Sequence, residues 1–221
     1  MKIVLVLFEG ITALDVVGPY EVLSRLPGAE VVFAGPHVGL VRTDNRVLGM
    51  QVDVALTDVG HADVLLVPGG YGVDALIASP EVLGELQRLD AGARFTTSVC
   101  TGALVLGAAG LLRGLEATTH WAYFDALASY GATPLGERVV SRGRVVTAAG
   151  VSAGIDMALT LAAQLAGEDV ARGIQLAIEY DPEPPFHDGH PRSAAPELVE
   201  RVRSANAARR AARTAQNQAC R

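Results

Sequence analysis

Three features of this chain carry chemistry: a cysteine ending a β-branched run, a carboxylate inside an apolar helix pattern, and a Gly-Gly pair after a buried strand. Thr96-Thr97-Ser98-Val99-Cys100 is extended in character, and small residues then open a helical pattern, Thr101-Gly102-Ala103-Leu104-Val105-Leu106. A strand passing into a helix with a nucleophile at the junction is the layout of a nucleophile elbow, which lifts the side chain out of the sheet. The N–H groups of the helix then face the sulfur and favour thiolate, so Cys100 is expected to titrate below the free value of about 8.5. The competing use of Cys100 is as an ordinary buried apolar residue.

Asp15 stands in Ala13-Leu14-Asp15-Val16-Val17-Gly18. Apolar surroundings penalise a carboxylate, raise its pKa and fit it to hold and release a proton near neutrality. A solvated acid serving the helix dipole is the alternative. Glu21, farther along the same helix, is the weaker candidate. Gly69-Gly70 follows the apolar run 63–67, and a residue without a side chain there lets a backbone N–H approach a reacting atom. Gly70 with Thr101 or Cys100 would supply the anion-stabilising donors, although a plain tight turn reads the same. Thr101 suits either a helix cap or a hydrogen bond to substrate or carboxylate. His120, in Thr118-Thr119-His120-Trp121, borders the same cleft, where a Cys/His pair is an alternative activation scheme and a structural histidine the plainer one. His61, His187 and His190 fall in polar loops and are expected to be solvated.

The elements that must position these residues alternate. Ile3 to Phe8 is a continuous apolar run, as expected of a strand buried on both faces. Thr12 caps a helical pattern that ends near Pro27-Gly28, with Pro19 inside it as a kink or late start. Strands are expected at 29–34, 63–67 and 94–99, short antiparallel excursions between Val38 and Val54, and a hairpin around Arg142-Gly143. Helices are expected at 81–89, with Ser79 as cap and Pro80 in its first turn, at 120–130 after a short strand 117–119, at 152–166 and at 170–180. Asp181 to Phe186, with Pro182, Pro184 and Pro185, is irregular. Strand–helix alternation implies a parallel sheet with helices on both faces, and ligands bind beyond the carboxyl ends of such strands. Gly69-Gly70 and Cys100 both follow strands at that end.

With 221 residues, half of them hydrophobic, the chain can bury a full core. No apolar run is long enough to span a bilayer, and Ile3–Phe8 is too short for a signal sequence, so a cytoplasmic protein is expected. The other cysteine, Cys220, lies at the far end, and neither a disulfide to Cys100 nor a metal site is expected. The net charge of −6 is uneven: after residue 192 six arginines face two glutamates, leaving about −10 on the body. Nucleic-acid binding by the body is not expected on that balance, and the Ala/Arg tail reads as a solvated helix.

Val99-Cys100-Thr101-Gly102-Ala103, with Pro68-Gly69-Gly70 and Ala117-Thr118-Thr119-His120-Trp121, resembles the ThiJ/PfpI superfamily, whose fold is the class I glutamine amidotransferase-like, flavodoxin-like sandwich. The resemblance spans residues 1–188, so a single domain over 1–190 with an extension over 191–221 is expected. Ala13-Leu14-Asp15, Gly18-Pro19-Tyr20-Glu21 and Gln175-Leu176-Ala177-Ile178-Glu179-Tyr180 with Pro184-Pro185-Phe186 look closest to the isonitrile hydratase subgroup. That resemblance implies a hydro-lyase acting through Cys100 as nucleophile, Asp15 as acid/base and Thr101 in support. It also implies a homodimer and no metal or organic cofactor. A glyoxalase- or deglycase-like enzyme and a non-catalytic small-molecule or redox sensor are the alternatives within the fold. Many AraC-type regulators share the Thr-Thr-His-Trp stretch, but too few residues follow Tyr180 here for their DNA-binding domain.

Overall fold

Apolar runs form the middle of one sheet in the computed structural model, which describes residues 1–219, with side chains described to residue 212. Cys220, and with it the expectation about a disulfide, lies outside the described residues. Strand β1 (Lys2–Val6) leads into helix α1 (Ala13–Leu23), and strand β2 (Glu30–Gly35) follows. A hairpin of β3 (Gly39–Arg42) and β4 (Gly49–Val52) comes next, then β5 (Val54–Ala55) and β6 (Val64–Val67). Helices α2 (Val73–Ile77) and α3 (Pro80–Gly92) precede β7 (Phe95–Val99) and α4 (Gly102–Ala108). The chain continues through β8 (Glu116–Ala117), α5 (Phe124–Ser129), β9 (Thr133–Pro134), β10 (Val139–Arg142) and β11 (Val145–Ala148). Helices α6 (Ala153–Ala166) and α7 (Glu168–Ala177) close this unit, Met1–Ile178. The second unit begins at Glu179 with an irregular proline-rich segment and carries helix α8 (Pro196–Ala219).

Seven strands form the main sheet in the order β10-β11-β7-β6-β1-β2-β5, parallel throughout except for the β10–β11 hairpin. Ile3 to Leu7 and Val64 to Val67 are wholly buried, which is why these strands read as unbroken apolar runs. Helix α6 packs against both α1 and α7, and α2, α3, α4 and α5 form a second group, giving the layered α/β architecture. Because β2 lies on one side of β1 and β6 on the other, the connectivity reverses direction between β1 and β6. A crevice opens at such a point beyond the strand ends. No helix among the described residues is long and apolar enough to cross a membrane.

Local chemistry explains most boundaries. Ser79 Oγ accepts the Val82 N–H at 3.3 Å and Pro80 occupies the first turn, so α3 begins where expected. Pro19 lies within α1 without ending it, and its ring packs over Gly154 of α6. The expected single helix over 120–130 is instead a 3₁₀ turn, Trp121–Tyr123, followed by α5. His120 Nδ1 accepts the Ala122 N–H at 3.3 Å, which tightens that first turn. The expected strand through Thr119 stops at Ala117. Thr118 N–H donates instead to Thr147 Oγ1 at 2.9 Å, and Thr119 Oγ1 donates to the Cys100 carbonyl at 2.8 Å. At the other end of β7, Thr96 Oγ1 donates to Asp90 Oδ1 at 2.6 Å and Arg144 grips both Asp90 oxygens, fixing the strand that delivers Cys100.

Candidate active site

The backbone at Cys100 is held in a conformation that a cysteine rarely adopts. Its φ is 55°, in the left-handed region, which costs a non-glycine residue on the order of 1 kcal/mol or more. Three hydrogen bonds hold it there. Its N–H donates to the carbonyls of Ala148 and Ala149 at 3.1 and 2.9 Å, and its own carbonyl accepts the Thr119 hydroxyl. The register Ala148↔Val99 on β11–β7 sets the Ala149–Val151 turn beside the elbow. Val151, at φ 26°, is a second strained residue there.

The sulfur receives the N–H groups of Val151 and Thr101 and the Thr101 hydroxyl, all of which favour thiolate. Burial and the neighbouring Asp15 carboxylate outweigh them and push the Cys100 thiol well above the usual thiol range. The expectation of a depressed pKa is therefore corrected. Helix α4 spans only seven residues, and its terminal N–H groups cannot offset a nearly complete loss of water.

Asp15 is wholly buried in the first turn of α1. Its Oδ2 accepts the Gly69 N–H at 2.9 Å, while Oδ1 has no hydrogen-bond partner among the described residues. Burial raises its pKa to about 7, against the opposing pull of the Gly69 N–H and the Cys100 thiol, and the charge of Asp44 adds to the rise. Cys100 and Asp15 thus form a coupled pair around neutral pH: a protonated thiol facing a carboxyl that is partly ionised. The carboxylate can take the thiol proton and deliver it elsewhere in the same pocket.

Gly69 is required at this contact. A Cβ there would stand 2.6 Å from the Thr101 nitrogen, 2.7 Å from its hydroxyl and 2.8 Å from Asp15 Oδ2. Gly69→Ala is expected to push the Thr101 backbone and Asp15 apart, lowering kcat/KM on the order of 100-fold or more, since misplacement by about 1 Å costs that much. Steady-state kinetics with circular dichroism as the folding control tests this.

Of the three expected anion-hole donors, the Thr101 N–H faces the sulfur, whereas the other two are engaged within the fold. Gly70 N–H donates to Thr101 Oγ1 at 3.0 Å, and Cys100 N–H is spent on the carbonyls of Ala148 and Ala149. Gly70, at φ 137°, serves close packing: a Cβ would lie 2.4 Å from the Gly10 carbonyl. Thr101 occupies the N-cap position before α4, but its hydroxyl bridges to Gly70 instead of capping. Thr12 likewise makes no cap bond; its hydroxyl donates to Asp44 Oδ2 at 2.8 Å. His120 is stacked on Trp121 with Tyr123 edge-on, and its ring edge packs at Gly150, next to the turn that supplies the Val151 N–H. Burial lowers its pKa, so it is neutral at pH 7.

Several contributors carried no sequence signal. Val151, Ala148 and Ala149 act through backbone atoms. Thr119 was a strand residue by type and Asp44 a turn residue, and neither spacing points at Cys100. Ser98 Oγ, one residue before Val99, is buried without a partner among the described residues.

The description DJ-1/PfpI family matches residues 1–164. An isonitrile hydratase of Pseudomonas putida is 44% identical over 203 residues, covering 92% of this chain and 89% of that one. The crystal structure of a ThiJ/PfpI family protein from Pseudomonas syringae superposes with a TM-score of 0.91 at 36% identity, covering 95% of this chain and 87% of that one. Drosophila melanogaster DJ-1beta, 22% identical, shares the fold with a TM-score of 0.75 over 82% of this chain and 98% of its own.

Proposed function

We propose that this chain, which belongs to the DJ-1/PfpI family, is an isonitrile hydratase that adds water to R–N≡C to give an N-substituted formamide. The observation that carries this is the pairing of a buried Asp15 carboxyl, held by the Gly69 N–H and with its pKa pushed up to about 7, with a protonated Cys100 thiol. An isonitrile carbon must accept a sulfur nucleophile and a proton together, and it develops no oxyanion. The 44% identity to the Pseudomonas putida isonitrile hydratase supports the same activity.

The chemistry closes on these residues. Asp15 carboxylate takes the Cys100 proton as the sulfur electron pair forms the S–C bond, and the same proton passes to the former isonitrile carbon. A thioimidate, R–N=CH–S, results. Asp15, ionised again, removes a proton from water as the water oxygen adds to that carbon, and passes this proton to nitrogen, giving R–NH–CH(OH)–S. On collapse the C–S bond breaks, Asp15 takes the hydroxyl proton as the carbonyl forms, the formamide leaves, and that proton restores the Asp15–Cys100 pair. Thr101 holds the sulfur through its hydroxyl and N–H, Gly69 orients Asp15, and His120 with Gly70 walls the substrate side.

A reduced thiol is needed throughout, which suits a cytoplasmic setting. The exposed Val38, Leu40, Val47 and Leu48 on and beside the β3–β4 hairpin supply an apolar face for a homodimer. Purified protein incubated with cyclohexyl isocyanide is expected to release the corresponding formamide with multiple turnovers. Folded protein that leaves the isocyanide intact overturns the assignment, and consumption of methylglyoxal in its place would point to glyoxalase-type chemistry.

A further inference from the structure

Asp44 lies far from Asp15 in sequence, but the fold carries it to the same end of the sheet. The loop between β3 and β4 is tied to the β1–α1 loop by the Ile11–Thr43 bridge and by the Asp44 N–H, which donates to the Ile11 carbonyl at 2.8 Å. Asp44 Oδ2 accepts the Thr12 hydroxyl at 2.8 Å. Thr12 N–H in turn donates to the Gly69 carbonyl at 2.9 Å, and Gly69 N–H donates to Asp15 Oδ2 at 2.9 Å. A threonine at a helix start ordinarily caps the first turn; here that hydroxyl is given up to hold a half-buried carboxylate in place.

We propose that Asp44 is a positioning residue of the reaction, whose fixed negative charge strengthens Asp15 as the base that takes the Cys100 proton. The inference rests on the hydratase assignment. Breaking the S–H bond moves its proton to Asp15 while the sulfur electron pair forms the bond to carbon, and Asp44 itself neither gains nor loses a proton. Transfer from a thiol titrating above the usual range to an ordinary carboxylate is steeply uphill, and a second carboxylate nearby reduces that gap. The Asp44 charge adds to the rise of the Asp15 pKa, whose main cause is burial.

The other charged groups around Asp15 do not account for this. Cys100 at the elbow pulls the Asp15 pKa the opposite way. Helix α6, packed on α1, sets Gly154 and Ile155 against Pro19 and Gly18, while its Asp156 pairs with Arg138. In the loops flanking Asp44, Glu9 accepts the Arg42 N–H, the Arg42 guanidinium bonds the Val47 carbonyl, and Arg46 holds a turn with φ 63°.

Asp44→Asn keeps an acceptor for Thr12 and removes only the charge. The pH profile of kcat/KM is expected to show its acid limb moved down by roughly half a unit to one unit, with the plateau lowered roughly three- to tenfold. Thr12→Val, which keeps the charge, is expected to move the limb less. Alkylation of Cys100 by iodoacetamide, followed on its own peptide, reads the same proton pair without any isonitrile and is expected to show the same downward shift. An acid limb unmoved in Asp44→Asn overturns the proposal even if the plateau falls, because a purely structural role predicts that pattern. A shift in alkylation with no isonitrile turnover by the wild type leaves the Asp44–Asp15 coupling standing and removes the hydratase assignment on which its catalytic role depends.

Discussion

Cys100→Ala is expected to lose isonitrile turnover by at least about 10⁴-fold, the scale for removal of a covalent nucleophile. Cys100→Ser is expected to fall nearly as far. A serine hydroxyl holds its proton much more tightly than a thiol, so an Asp15 carboxyl with a pKa of about 7 cannot take it. Both variants should fold, because the elbow is held by backbone bonds from Ala148, Ala149 and Thr119 that do not involve the sulfur. Formamide release measured with matched circular dichroism checks this, and turnover within tenfold of wild type in Cys100→Ala would remove covalent catalysis through sulfur.

The parts of this site visible in the sequence are those carried by side-chain type. Ile3 to Phe8 and 63–67 announce strands because both faces are buried, and a cysteine after a β-branched run announces an elbow. Asp15 stands out because a carboxylate among Ala, Leu and Val must either be paired or shift its pKa, and in the fold it is wholly buried with one N–H partner, Gly69, on Oδ2. The charge state of Cys100 was not legible in the same way. A helix beginning at the sulfur suggests thiolate, but the outcome is a balance between helix dipole and burial, and burial is known only once β11, α1 and the elbow are packed together. Thr12 and Thr101 mark helix starts by type, yet both hydroxyls serve tertiary partners, Asp44 and Gly70, that no local pattern reveals. Val151 contributes an amide N–H, which every non-proline residue has, so its role belongs to the fold alone.

Asp15→Asn separates function from stability most sharply. Asparagine can still accept the Gly69 N–H, but it cannot take the thiol proton, so kcat/KM is expected to fall on the order of 10² to 10⁴-fold, the usual worth of a general base. The wild-type acid limb should centre near pH 7: below it Asp15 is protonated and cannot accept the thiol proton, whereas above it the thiol remains protonated well into the alkaline range. Asp15→Asn should abolish that limb in whatever activity remains. Stability should move the other way. The Asp15 pKa is raised from 3.8 to about 7 on folding, so between those values the native state binds more protons than the unfolded chain, and stability falls as pH rises. Above pH 7 the full penalty is present, at most about 4 kcal/mol from the size of the shift. Urea unfolding midpoints should therefore favour Asp15→Asn increasingly from pH 4 to pH 7 and by a constant margin above it. A variant no more stable than wild type at pH 8 would mean that the buried carboxylate is better solvated than its surroundings indicate, and a base with so ordinary a pKa would be a poor match for the Cys100 proton.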